Sequence, residues 1–141
     1  IHDAARPFVS EQVITDALAE AEAMGAAAPA VAVKDTIKIA NDGAVVQTPD
    51  RAALFAVQTP QCFCRNLYWK ALEAVQGEKV HLVTDDCSLF ELAGLPVHLT
   101  QGDYVNLKIT RTCPPRHRIR EKIQCALVMV MMFTAWWRAA S

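Results

Sequence analysis

Apolar residues recur every three or four positions through Val13, Ile14, Ala17, Leu18, Ala21 and Met24, with Asp16, Glu20 and Glu22 between them. That spacing predicts an amphipathic helix lying on a sheet. Ser10 is placed to cap its start, Glu11 to meet its dipole, and Gly25 to stop it. Residues 29–33 form a short apolar run and read as a strand. Residues 36–40 alternate, with Ile37 and Ile39 on one face and Thr36 and Lys38 on the other. Asn41-Asp42-Gly43 then signals a tight turn into a return strand at Ala44-Val45-Val46. Such a hairpin cannot bury both faces by itself and is expected to project and pack on something else.

Residues 54–57 read as a buried strand that cannot run on through Pro60, which lacks a backbone N–H. Leu67, Ala71, Leu72 and Val75 predict a second helix ending at Gly77. Asp85 and Asp86 precede a short helix closed by Gly94. Strands are expected at 96–99 and 107–109, around a turn at Gly102-Asp103. Ile1 reads as the last residue of a buried strand, and residues 2–7 as the loop leaving its carboxyl end. In open α/β sheets ligands sit at such loops.

The alternation stops near residue 110, and charge marks the same boundary. Residues 1–110 hold eight Lys/Arg against fourteen Asp/Glu, whereas 111–141 hold six against one. The tail carries Pro114-Pro115, a basic stretch from Arg116 to Lys122, and thirteen residues at 125–137 of which only Thr134 is polar. That run is shorter than the roughly 20 residues a bilayer span needs, so a packed or aggregation-prone segment is expected rather than a membrane one. The overall charge of -1 gives no reason to expect a nucleic-acid partner. Five cysteines, without a C-x-x-C pair, fit reduced thiols in a cytosolic protein.

Seven polar residues fall at strand ends or loop starts: Asp3, Arg6, Thr36, Arg51, Thr59, Thr84 and Lys108. Singly, each has a plain alternative. Asp3 and Arg6 could pair with each other, and Thr84 and Asp85 could only cap a helix. Together they have a chemical sense. Arg and Lys are the usual partners of phosphate, Thr hydroxyls suit phosphates and sugar hydroxyls, and Asp3 could hold hydroxyls or help place a divalent metal. The set reads as a phosphorylated-polyol site. The four histidines make no metal-ligand pattern, and neither a G-x-S-x-G nor a phosphate-cradling Gly-rich loop occurs.

Six blocks in order carry a resemblance: residues 2–8 (HDAARPF), 33–38 (VKDTIK), Asp50-Arg51 with Leu54, 57–61 (VQTPQ), Thr84-Asp85-Asp86 with Ser88, and Gly102-Asp103 with 106–110 (NLKIT). Over residues 1–110 the chain resembles the carboxyl-terminal two thirds of the 2-C-methyl-D-erythritol 4-phosphate cytidylyltransferase family. The resemblance implies an α/β, Rossmann-like, mostly parallel sheet with flanking helices and a β-arm at about residues 34–50. It implies cytidylyl transfer from CTP to the methylerythritol phosphate, with Mg2+ and release of pyrophosphate. By motif match, Arg51 and Lys108 would position the substrate phosphate, Thr36 would join Arg51, and Asp3 would bind substrate hydroxyls with Arg6 nearby. Thr59 and Thr84 would line the same pocket. Asp3 is also the candidate metal residue.

The family works as a homodimer with exchanged arms, so Thr36 and Arg51 would serve the partner's site. A bacterial cytoplasmic or plastid stromal location is implied. The family's first strand and Gly-rich loop have no counterpart here, so the chain is expected to be amino-terminally truncated. Residues 111–141 depart from the family pattern, as a reading-frame change near Arg111 would make them do. The alternatives are a ribitol-phosphate cytidylyltransferase, or a non-catalytic dimerisation fragment.

Overall fold

The computed structural model describes residues 1–109; the tail expected from Arg111 onward lies outside them. Helix α1 (Glu11–Met24) begins where Ser10 Oγ accepts the Val13 N–H and ends at Gly25, whose φ of 94° lets its N–H reach the Ala21 carbonyl. A Cβ on Gly25 would stand 2.5 Å from Leu67 Cδ1, an end atom that can move aside, so it is the positive φ that calls for glycine in the turn out of α1.

Strand β1 (Ala26–Ala32) starts earlier than the apolar run suggested, because its first residues are alanines with no pattern of their own. It is the centre of the main sheet. The β-hairpin pairs β2 (Ile39–Asn41) with β3 (Ala44–Gln47) and forms a separate two-stranded sheet. β4 (Phe55–Val57) and β5 (Cys62–Phe63) lie antiparallel to β1 along one side, and β6 (His98–Gln101) lies parallel on the other. The α/β class with flanking helices stands, and the sheet is mixed.

Pro29 sits inside the central strand. Its carbonyl accepts the Gln58 N–H at 2.8 Å, but it cannot donate back. The β4 ladder stops at this pair, and residues 58–61, with a cis Thr59–Pro60 peptide, leave the sheet there. The missing donor of Pro29 therefore faces the place where its neighbour is broken.

Two apolar clusters hold the sheet. Ala17 and Ala21 of α1 pack on Ala27 and Cys62. On the other, Ala26 meets Ala71 and Val75, from helix α2 (Arg65–Ala74) and its C-cap, and Leu89 and Phe90 of helix α3 (Asp86–Leu92). Phe63 and Phe90 rings lie 4.6 Å apart at its centre. Alanine at the contact points lets helix and strand backbones approach closely.

Several expected boundaries move. Ile1 is 61% exposed and outside any strand, although its carbonyl accepts the Gln61 N–H. Residues 107–109 form no strand; the Ile109 N–H bonds only the Ala5 carbonyl, which is loop rather than ladder. The strand expected at 96–99 is β6, shifted towards Gln101. α2 ends at Ala74, and Gly77 starts a 3-10 turn (Gly77–Leu82) instead of capping the helix. β4, expected to be buried, is exposed, with Phe55 at 50%, because within the described residues it is an edge strand.

Candidate functional site

Three loops converge beside the broken edge of the sheet: residues 1–9, 58–61 and 102–109. The first is a tight turn in which Asp3 Oδ1 accepts the Ala5 N–H and the Asp3 carbonyl accepts the Arg6 N–H. This Asx-type turn is what an Asp followed by two small residues favours. It leaves Asp3 Oδ2 free to meet Lys108 Nζ at 2.7 Å. That ammonium holds the Asp3 carboxyl below its usual range, against the opposing effect of partial burial. Lys108 is 54% exposed. An ammonium has three N–H donors, so one bond to Asp3 leaves two for a ligand.

Thr59 joins the same cluster. Its Oγ1 accepts the Asp3 N–H at 3.0 Å and lies 2.9 Å from His2 Nδ1. His2 Nε2 faces the Arg6 carbonyl at 3.2 Å, which can only accept. In the neutral ring Nε2 therefore carries the proton, Nδ1 accepts, and Thr59 donates its hydroxyl proton to it. Burial lowers the His2 pKa and favours that neutral form.

Arg6 does not pair with Asp3. Its Nη1 donates to the Asn106 carbonyl at 2.7 Å, and its Nε is buried without a partner among the described residues. Burial lowers the pKa of its guanidinium, and the Asp3 charge opposes that.

Thr36 and Arg51 are elsewhere. Thr36 is exposed before β2, and every residue of the hairpin is exposed. The Asp42-Gly43 turn has φ of 48° and 80°, the double left-handed geometry of a tight hairpin turn. Arg51 follows Asp50, which caps a one-turn 3-10 helix (Arg51–Ala53), and its Nη1 donates to the Lys34 carbonyl at the root of the arm. Thr84 lies at the start of α3, where its N–H and hydroxyl both bond Ser88 Oγ and Asp85 forms a capping box with Ser88. Gln61 Nε2 donates to Asp85 Oδ2 at 2.8 Å and so ties that helix start to the 58–61 loop. The structure thus brings Asp3, Arg6, Thr59 and Lys108 together and sets Thr84 one link away. Thr36 and Arg51 stand on the arm.

Sequence reasoning passed over His2, Gln58 and Asn106 as participants. Gln58 and Asn106 are among the buried polar residues, at 5% and 0% exposure. Gln58 directly follows an apolar strand, and a polar side chain there must find partners or face water. Among the described residues no group of three His, Cys, Asp or Glu is arranged to hold a metal ion. Asp3 already has one oxygen on a backbone N–H and the other on an ammonium.

The chain is similar to known proteins in sequence and in fold. The sequence model of the 2-C-methyl-D-erythritol 4-phosphate cytidylyltransferase family matches residues 1–114. The protein of that name from Clostridium perfringens is 52% identical over 111 residues, covering 78% of this chain and 49% of that protein. The one from Geobacillus kaustophilus is 51% identical over 110 residues, 78% and 48%. A crystal structure of the Thermus thermophilus enzyme superposes with a TM-score of 0.68 at 31% identity, covering 92% of this chain and 60% of that one. The Francisella tularensis structure gives a TM-score of 0.72 at 29% identity, covering 89% and 55%. This chain spans about half the length of the curated relatives it matches. A family model over most of the chain, identity near one half, and the same fold agree: the chain belongs to the 2-C-methyl-D-erythritol 4-phosphate cytidylyltransferase family.

Proposed function

We propose that the protein carrying this chain transfers a cytidylyl group from CTP to 2-C-methyl-D-erythritol 4-phosphate, and that residues 1–109 supply the wall of the site that receives the polyol phosphate. The observation that carries this reading is the convergence of Asp3 and Lys108 in one ion pair, beside Thr59, in a chain of this family. An acidic group for hydroxyls next to an exposed ammonium for phosphate is the pair of functions a polyol phosphate demands.

In the reaction a phosphate oxygen of the polyol attacks the α-phosphorus of CTP. A new P–O bond forms, the bond to the bridging oxygen breaks, and pyrophosphate leaves with that electron pair. No protein nucleophile takes part, so the protein acts by positioning and by stabilising charge. Lys108 holds the attacking phosphate, Asp3 orients the hydroxyls and fixes Lys108 in turn, and Thr59 holds the Asp3 loop. Thr84, at the α3 start, lines the far side. Arg6 acts within the protein, through the Asn106 carbonyl. Arg51 and Thr36 reach the same phosphate from the arm of a second copy, in a homodimer with exchanged arms. Full exposure of both arm strands supports that reading.

A divalent cation would counter the triphosphate charge. Asp3, with one oxygen on the Ala5 N–H and the other on Lys108, does not by itself make a site for one. No described helix is long and apolar enough to cross a membrane. The setting this reading calls for is a bacterial cytoplasm or a plastid stroma.

The test is pyrophosphate release by the complete gene product, with CTP and either methylerythritol phosphate or ribitol phosphate. Turnover with the first and at most a few per cent of it with the second is expected. Preference for ribitol phosphate, or no release with either, would refute the reading.

A further inference from the structure

Gln58 and Asn106 are uncharged, buried, and bonded mainly to each other's loops. Their amide orientations follow from partners whose roles are fixed. The Asp103 N–H can only donate, so the Gln58 atom it meets at 3.2 Å is Oε1. The Asp103 carbonyl can only accept, so the other atom, at 2.8 Å, is Nε2. Asn106 then presents its Nδ2 to two acceptors, the Thr59 carbonyl at 3.0 Å and Gln58 Oε1 at 3.3 Å. Its main-chain carbonyl accepts from Arg6 Nη1 at 2.7 Å, and its Oδ1 is buried with no partner among the described residues.

An apolar residue would fill the same space without the desolvation cost of stranding a buried oxygen. The carboxamide does something a filler cannot. It links the loop that carries Thr59 to the loop that carries Lys108, two residues further on. The Ile109 N–H then closes on the Ala5 carbonyl at 2.7 Å, bringing Lys108 to Asp3. Gly102 packs against the same lock: a Cβ there would stand 2.7 Å from Gln58 Oε1 and 2.9 Å from the Ala30 backbone.

We infer that Asn106 is a positioning residue for the phosphate-facing wall: with Gln58 it locks the 102–109 loop to the 58–61 loop and so sets where Lys108 and Arg6 stand. This rests on the cytidylyl-transfer reading for its kinetic consequence, though not for the lock itself.

The test uses two variants of the complete gene product, Asn106→Ala and Gln58→Met, the second keeping the volume and the fold if the first does not. Two readouts are taken. Amide hydrogen exchange should show Ile109 exchanging at least about tenfold faster while Ala28 in β1 keeps its protection, the sign of local rather than global opening. Turnover of the polyol phosphate should fall about 100-fold with KM for CTP unchanged, as small misplacement of a positioning group does. Unchanged Ile109 exchange, or unchanged turnover in an enzyme that works, overturns the inference. So does loss of Ala28 protection in both variants, which would make the pair merely structural. Faster Ile109 exchange in a protein whose wild type transfers no cytidylyl group would uphold the lock and sink the function reading instead.

Discussion

The three-loop cluster and the arm carry similar side chains in opposite physical states. In the cluster, Asp3, Arg6, Thr59 and Lys108 each have a partner within the chain, over two buried amides. In the arm, Thr36 is exposed, Val45 and Val46 are 61% and 67% exposed, and among the described residues the Arg51 side chain bonds only the Lys34 carbonyl. Chemistry held by the chain's own hydrogen bonds is pre-organised. Chemistry on an unsupported hairpin waits for something outside the fold, because a two-stranded ribbon is marginal by itself. On the reading proposed above, one region is half of a site and the other completes it from a second copy.

The sharpest way to break this contrast is with glycine. Gly102→Ala drives a Cβ into Gln58 Oε1 and the Ala30 backbone and should cost about 1–3 kcal/mol in urea unfolding. Gly43→Ala, at the arm tip, meets nothing within 4 Å and is strained only by its φ of 80°, so about 1–2 kcal/mol is expected in the local opening of the arm alone, with the main sheet's amide protection unchanged. A Gly43→Ala effect that spread into β1 would show that the arm is not a separate unit.

The arginines should separate next. Arg6→Ala leaves the buried Asn106 carbonyl without its charged donor and should lower stability by about 1–3 kcal/mol. Arg51→Ala should stay within about 0.5 kcal/mol of wild type. Equal losses would mean that the arm root is as firmly built as the cluster.

The smallest effect is in acid. His2 has its pKa lowered by burial from an ordinary 6.5, and Asp3 is lowered by the Lys108 hydrogen bond from an ordinary 3.8. In both cases the unfolded chain binds protons more readily than the folded one. Stability is therefore present above the ordinary value and is lost as pH falls through the lowered one. The His2 part goes first, below about pH 6.5, and the Asp3 part below about pH 4. Lys108 is more than half exposed, so the Asp3 part is under about 1 kcal/mol. Asp3→Asn should flatten the lower step alone in urea midpoints measured against pH. An unaltered lower step would mean that the ion pair does not form in solution.

Much of this was legible in the residues. Helix α1 with both caps, the Asp42-Gly43 turn and the acidic start of α3 follow from local chemistry, and the structure has them. β1 was harder, since an alanine run carries no period and its burial comes from α1 and two neighbouring strands. β4 looked buried because its residues are apolar, but exposure depends on what lies beside an edge strand. Of the site, the charged members were visible as residue types. Their pairing was not: Arg6 took a carbonyl about a hundred positions away and left Asp3 to Lys108. Gln58 and Asn106 went unnoticed because a buried amide signals itself only through partners brought together by the fold.

The central claim is that the arm of one copy completes the cluster of another. It is tested most directly by mixing two variants of the complete gene product, Arg51→Ala and Lys108→Ala, each inactive alone, and letting subunits exchange. If arms serve the partner's cluster, half of the dimers are mixed and each mixed dimer has one intact site, so cytidylyl transfer returns to about a quarter of wild type. If Arg51 and Lys108 act within one subunit, no mixed dimer has an intact site, and activity that stays at the level of the separate variants would contradict the account.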